Sequence, residues 1–204
     1  EPRQADAPAW DPVWAWERDT ENLYSAFVEQ LFREPVGEDV TWPNLQVLLN
    51  DPARNLLHDH RSQDEERALD LEPDCADLPY FLRAYFAWKL RLPFAWRQCS
   101  RGRGEGRPPQ CPARPKSNLD PVTAVSEVGA FETLIRTLRS NVHSSTQRTV
   151  PQTDDSDVYP VPITRRALRP GTVFADPYGH IMVVAGWQPQ GMDSYGVLMA
   201  ADAQ

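Results

Sequence analysis

Lysine is nearly missing from the sequence, because only Lys89 and Lys116 stand among its 21 basic residues. Such a bias towards arginine is typical of GC-rich genomes and indicates a bacterial origin. No run of about 18 apolar residues occurs, so no membrane-spanning helix is predicted. The net charge of −8 excludes a general binder of the phosphate backbone, and we expect no nucleic-acid partner. With 41% hydrophobic residues, the chain has enough apolar surface for a sizeable core, and we expect a globular monomer.

Cysteine is also scarce, with three residues in the chain. Cys99 and Cys111 flank a loop without a large apolar residue, which favours a disulfide in an exported protein, secreted or periplasmic. The alternative is two unpaired thiols in a cytosolic protein. If the disulfide forms, Cys75 is left over. An odd thiol is either a partner for another chain or a reactive group.

Apolar residues recur at helical spacing through most of the sequence, and strand patterns follow near its end. The predicted helices are 20–34, 42–58 with a break at Asp51-Pro52, 77–92 and 122–142, and the predicted strands are 169–174, 180–185 and 197–200. Helices first and strands last favour an α+β fold. We expect residues 1–70 to form an N-terminal helical extension that ends in a solvated, charged connection over 59–74. We expect residues 71–204 to form the catalytic core, and strands that follow Gln204 would extend it.

The most apolar segment, residues 78–90, predicts a helix that is buried around most of its circumference. Cys75 comes just before this helix, where the positive end of the helix dipole favours a thiolate. A thiol nucleophile needs a base, and His180 is the best candidate because it opens an apolar strand directly after a turn signal. The sequence therefore predicts Cys75 as nucleophile and His180 as base. The alternatives are a structural thiol and a strand-end histidine bonded to the backbone.

A carboxylate that orients His180 is predicted from strand parity. If the last two strands form a hairpin centred on Gly191, His180 lies opposite Asp202. The same register pairs Met182 with Ala200 and Val184 with Leu198. We expect Asp202 to fix the tautomer of the His180 ring, with Asp176 as the alternative.

Two segments resemble a known superfamily. Asp74-Cys75-Ala76-Asp77-Leu78, followed by the helix and its exit Leu90-Arg91-Leu92-Pro93, resembles the nucleophile helix of NlpC/P60 hydrolases and transglutaminase-like cysteine proteases. Leu168-Arg169-Pro170-Gly171-Thr172-Val173-Phe174, followed by His180-Ile181-Met182-Val183-Val184, is similar to the NlpC/P60 segment that carries the catalytic histidine. The resemblance implies a papain-like fold and cleavage or transfer at an amide bond. Thr172 departs from the aspartate that NlpC/P60 proteins have after the Pro-Gly pair.

Together these features predict a thiol protease or amidase that acts on a peptide or peptidoglycan substrate through Cys75, His180 and Asp202, without a cofactor. A transglutaminase-like acyl transferase and a non-catalytic relative that binds a peptide or glycan are the alternatives. A metal site at His58 and His60 is not predicted, because the two residues point to different sides of a helix and no further histidine or cysteine lies nearby.

Overall fold

The computed structural model of the chain describes residues 6–38, 40–69, 71–102, 106–107, 109–147, 156–176 and 178–204. These residues form an α+β fold, as predicted, with helices α1 (Arg18–Leu31), α2 (Leu45–Leu49), α3 (Leu78–Leu90) and α4 (Glu127–Arg139). The strands are β1 (Ala7–Pro8), β2 (Ala95–Trp96), β3 (Lys116–Ser117), β4 (Pro121–Val122), β5 (Val173–Ala175), β6 (Ile181–Gln188) and β7 (Val197–Ala201). β1 pairs with β4, β2 pairs with β3, and β5, β6 and β7 form an antiparallel sheet in that order. Among the described residues, no helix has the length and apolarity that crossing a membrane requires.

Helix α3 is the centre of the protein, as its apolar sequence predicted. Eleven of its thirteen residues are buried. Pro79 falls in the first turn, where a missing N–H costs least. Rings from α4 and α1 pack against the helix: Trp88 stacks on Phe131 with centroids 4.5 Å apart, and Tyr85 stacks on Phe27 at 5.8 Å. Aromatic packing on two sides therefore fixes the position of α3.

The other predicted helices are present but shorter than their apolar patterns suggested. Within the predicted stretch 42–58, α2 covers five residues and ends before the predicted break at Asp51-Pro52, and the residues after the break form turns instead of a helix. Asn44 caps the start of α2 by accepting a hydrogen bond from the backbone N–H of Val47 at 3.1 Å. The helix stops before Asp51-Pro52, because proline disfavours helical backbone in the residue before it. The buried Asn55 side chain then donates to the carbonyl of Leu49 at 2.8 Å and fixes an irregular turn.

A buried charge cluster corrects the prediction of a solvated connection over 59–74. Glu65 and Glu66, on a 3-10 turn (Glu65–Ala68), are 3% and 0% exposed. Both carboxylates accept hydrogen bonds from the ammonium group of Lys89 on α3, which is 1% exposed. The Tyr85 hydroxyl also donates to Glu66, at 2.6 Å. Burial by itself raises the pKa of Glu66, but the bonds from Lys89 and Tyr85 outweigh it and hold that pKa below its ordinary value.

Residues from both ends of the chain share one hydrophobic core. Trp10, 2% exposed, donates through Nε1 to the carbonyl of Leu92 at 2.8 Å and accepts through its own carbonyl from the side chain of Asn118 at 2.9 Å. The predicted disulfide between Cys99 and Cys111 is present in the segment that follows β2. Residues before and after position 70 therefore contribute to the same core.

The hairpin of β6 and β7 contains the predicted strands in a different register. Val184 lies opposite Ala200 and Val183 lies opposite Ala201. The predicted pairs, Met182 with Ala200 and Val184 with Leu198, are therefore wrong by two residues. An irregularity between Val184 and Gly186 shifts the remaining pairs by one residue more. A slip of two residues keeps each side chain on its original face, so residues expected to share a face still do so.

Candidate active site

Cys75 lies in a helical turn that leads into α3. Asp74 caps this turn: its Oδ1 accepts from the backbone N–H of Ala76 at 2.8 Å and from that of Asp77 at 3.0 Å. The carbonyl of Asp74 accepts from the N–H of Leu78 at 3.0 Å, which joins the turn to the helix. Cys75 thus lies in the turn directly before α3, near the positive end of the helix dipole, as the sequence predicted.

The Cys75 thiol is free and partly exposed, and it makes no hydrogen bond to any described residue. Burial, with a smaller contribution from the charge of Asp74, raises the pKa of Asp77 to about 6. Arg139 lies nearby, with its Nε 3.7 Å from Oδ2 of Asp77, and offsets part of this shift. Asp77 is therefore mostly charged at neutral pH and loses its charge as the pH falls below about 6.

His180 and Asp202 are in contact, as the sequence predicted. Nε2 of the His180 ring shares a hydrogen bond with Oδ2 of Asp202, and the two side chains are 39% and 35% exposed. In the observed register the two residues meet diagonally across the hairpin, a distance that long side chains span. Asp176 has another role: its Oδ1 accepts from the N–H of Tyr178 at 2.6 Å and shapes the turn before His180. Nδ1 is the ring nitrogen of His180 that remains to accept a proton.

The thiol and the His180–Asp202 pair are not joined in this structure. No hydrogen bond connects Cys75 with His180, both of which the structure describes. Val183 and Ala201, which pair across β6 and β7, pack against the helical core. Because side chains alternate along a strand, His180 and Asp202 belong to the other face of the hairpin. The structure thus brings together two members of the predicted triad and leaves the third apart, and their catalytic roles stay predictions.

A cleft of about 710 Å³ runs between α1, the first half of α3 and the segment that leads into β5. Gln147 lines the cleft and donates through Nε2 to the carbonyl of Ala76, next to Cys75, at 2.8 Å. On the opposite side Ala175 lines it from β5, whose partner β6 begins directly after His180. The cleft therefore passes the neighbours of Cys75 and of β6, but Cys75, His180 and Asp202 are not among its lining residues. Its aromatic and basic lining residues are Trp16, Tyr24, Tyr80, Phe94, Tyr159, Arg83 and Arg169.

Two polar groups of the cleft were not predicted from the sequence. The Tyr80 hydroxyl donates to Asp157 at 3.0 Å, and the backbone N–H of Arg97 donates to the same carboxylate at 2.8 Å. Burial raises the pKa of Asp157, and these hydrogen bonds offset only part of the shift. Gln147 is 4% exposed, and its Oε1 has no partner within the described part of the chain. Since these contacts join residues 71 and 77 positions apart, no local pattern signals them.

His58, Asp59 and Glu66 form the group of possible metal ligands among the described residues, with ligand atoms within 4.8 Å of one another. His60, which the sequence placed beside His58, is not part of it. The Glu66 carboxylate is already occupied, because Lys89 and Tyr85 donate to Oε1 and the backbone N–H of Asp59 donates to Oε2. We assign this group to the buried charge cluster.

Comparison with known proteins identifies no relative: no family model matches the chain, and neither a curated protein nor a solved structure matches it. The α+β class therefore follows from the structure alone, whereas a papain-like core is a proposal based on the two short segments around Cys75 and His180.

Proposed function

We propose that this chain is a cysteine-dependent hydrolase of peptide amide bonds, with Cys75 as nucleophile, His180 as base and Asp202 as orienting carboxylate. The observation that carries the proposal is the hydrogen bond between His180 and Asp202. A histidine held by a carboxylate is the arrangement by which thiol and serine hydrolases fix the base. Cys75 adds a free, partly exposed thiol at a helix start.

In the proposed mechanism Nδ1 of His180 takes the thiol proton, and the sulfur of Cys75 attacks the amide carbonyl carbon. The C–N bond breaks, the amine leaves with the proton from His180, and water then cleaves the thioester. The backbone N–H of Cys75 donates to no described residue, so it is available to the oxyanion. Catalytic hydrogen bonds are often long without substrate and tighten in the complex. The proposal therefore requires Cys75 and His180 to come within hydrogen-bond reach of each other in solution, before a substrate binds as well as in the complex.

The substrate that we propose is a peptide or the peptide part of peptidoglycan, on the basis of the NlpC/P60-like segments. An acyl transferase would follow the same steps, except that an amine instead of water would resolve the thioester. The disulfide between Cys99 and Cys111 supports a secreted or periplasmic location in a bacterium.

A second candidate function is peptide binding without catalysis. It is favoured by the absence of a hydrogen bond between the described residues Cys75 and His180. The mixed aromatic and polar lining of the cleft serves either function equally well.

Trapping of an acyl-enzyme distinguishes the two functions. The protein is incubated with the p-nitrophenyl ester of an N-acetylated peptide, without reductant so that the disulfide stays closed, and its intact mass is followed. We expect release of nitrophenolate and a mass increase equal to the acyl group, located by digestion on the peptide that contains Cys75. A Cys75→Ala variant should show neither. Equal nitrophenolate release by both proteins, or no adduct on Cys75, would contradict the hydrolase and leave the binding function.

A further inference from the structure

Arg169 is held rigidly against α1 by three uncharged acceptors. Its Nε donates to Oγ of Ser25 at 2.6 Å. Its Nη2 donates to the carbonyl of Glu21 and to Oδ1 of Asn22, both at 2.9 Å. The guanidinium group is therefore fixed in position without a counter-charge from these partners.

The neighbouring cation in the cleft has a different environment. Arg83 forms an ion pair with Glu21 through both of its terminal nitrogens, and its guanidinium lies 3.4 Å from the ring centroid of Trp16. Arg169 forms no ion pair within the described part of the chain, and its Nη1 donates to no described residue. The cleft is lined by two guanidinium groups and two carboxylates: Glu21 pairs with Arg83, and Asp157 accepts from Tyr80 and from the backbone N–H of Arg97, so neither carboxylate pairs with Arg169.

We infer that the cleft binds its peptide ligand through a carboxylate that pairs with Arg169. Charge-assisted hydrogen bonds from a guanidinium to a carboxylate are among the strongest polar contacts in proteins. Because the three acceptors on α1 already fix the Arg169 side chain, a ligand would bind it without ordering it first. The carboxylate is that of an acidic side chain or of a free C-terminus, and both present the same chemistry to Nη1.

The inference deepens the proposed function, since it assigns an acidic class of peptide to the same cleft, but it is testable without catalysis. Binding of fluorescent alanine-based peptides is measured by anisotropy in a Cys75→Ala background. One peptide has a glutamate and an amidated C-terminus, one has glutamine and an amidated C-terminus, and one has glutamine and a free C-terminus. We expect at least one carboxylate peptide to bind about tenfold or more tightly than the neutral one, and the arm that does so identifies the source of the carboxylate.

The protein variants then assign the effect to Arg169. In Arg169→Lys the preference for a carboxylate should fall to about threefold or less, because lysine cannot hold the three acceptors and pair with a ligand at once. Arg166→Ala removes an exposed arginine outside the cleft and should leave the preference intact. Equal binding of all peptides, binding of none, or a preference that survives in Arg169→Lys would overturn the inference. If Arg169→Lys folds poorly, the inference is still tested by the affinities of the three peptides for the Cys75→Ala protein, which retains Arg169. Whether the protein is a hydrolase is tested separately, by the mass measurement of the acyl adduct on Cys75.

Discussion

Replacing Lys89 with methionine is expected to lower the free energy of unfolding by about 3–5 kcal/mol, because it leaves two buried carboxylates without their cation. Glu65, Glu66 and Lys89 are all almost completely buried, and the Lys89 ammonium contacts both carboxylates. Methionine keeps a similar length and volume, so the loss reports the charge and not a cavity. The measurement is denaturant unfolding at neutral pH, followed by tryptophan fluorescence.

The chain offers a matched control for this experiment. Lys116, the other lysine, is exposed on β3, and Lys116→Met should change stability by less than about 0.5 kcal/mol. In Lys89→Met the buried carboxylates have no cation and favour their neutral form in the folded state, so stability falls as the pH rises, and the deficit should be smaller at about pH 4 than at about pH 7. Adding Glu65→Gln and Glu66→Gln should recover most of the loss. A Lys89→Met protein as stable as Lys116→Met would show that the buried cluster does not exist in solution.

Cys75→Ser is expected to reduce kcat/KM for the preferred peptide substrate by at least about a thousandfold, because the hydroxyl is a much weaker nucleophile than the thiolate. His180→Ala should reduce it by about a hundredfold to ten-thousandfold, the usual contribution of a general base. Asp202→Asn retains a hydrogen-bonding group but favours the wrong tautomer of His180, so it should also cost at least about a hundredfold. The measurement is steady-state hydrolysis of one peptide by the wild-type protein and the three variants.

If the three residues act as one catalytic unit, the losses of kcat/KM in the single variants will not add up in a double variant. The double variant Cys75→Ser with His180→Ala should be nearly as active as the worse single variant, because neither residue works without the other. Asp176→Asn is the matched control for Asp202, since its carboxylate bonds to the backbone of Tyr178 and not to the His180 ring. Full activity in Cys75→Ser, or multiplicative losses in the double variant, would contradict the proposed site.

The features that the sequence predicted are those with a local signal. The apolar circumference of α3 predicted its burial, and the polar Asp74–Asp77 segment predicted that Cys75 lies next to the helix start. The contact between His180 and Asp202 was also predicted, although the register was wrong, because a slip of two residues preserves the face of a strand. The face of the strand on which a side chain lies was therefore easier to predict than the residue that lies opposite it.

The features that were missed depend on contacts between distant segments. Glu65 and Glu66 belong to a charged stretch that looks solvated, and only Lys89, more than twenty positions later, makes their burial tolerable. Nothing near Gln147 in sequence indicates that its side chain reaches the Cys75 turn. The predicted break at Asp51-Pro52 is present, but the residues after it form turns and not a helix, because the buried Asn55 side chain bonds back to the carbonyl of Leu49.

The most direct test of the central claim is the rate at which iodoacetamide alkylates Cys75 in the folded protein. Without reductant Cys99 and Cys111 stay in their disulfide, so Cys75 is the one thiol that reacts. If His180 acts as its base, the folded protein at pH 7 should react about ten times or more faster than the urea-unfolded protein. The His180→Ala variant should lose this acceleration. His143→Ala, which removes the histidine bonded to Arg101, should keep it. Alkylation that is no faster in the folded protein, or equally fast in His180→Ala and wild type, would contradict a thiol site built from Cys75 and His180.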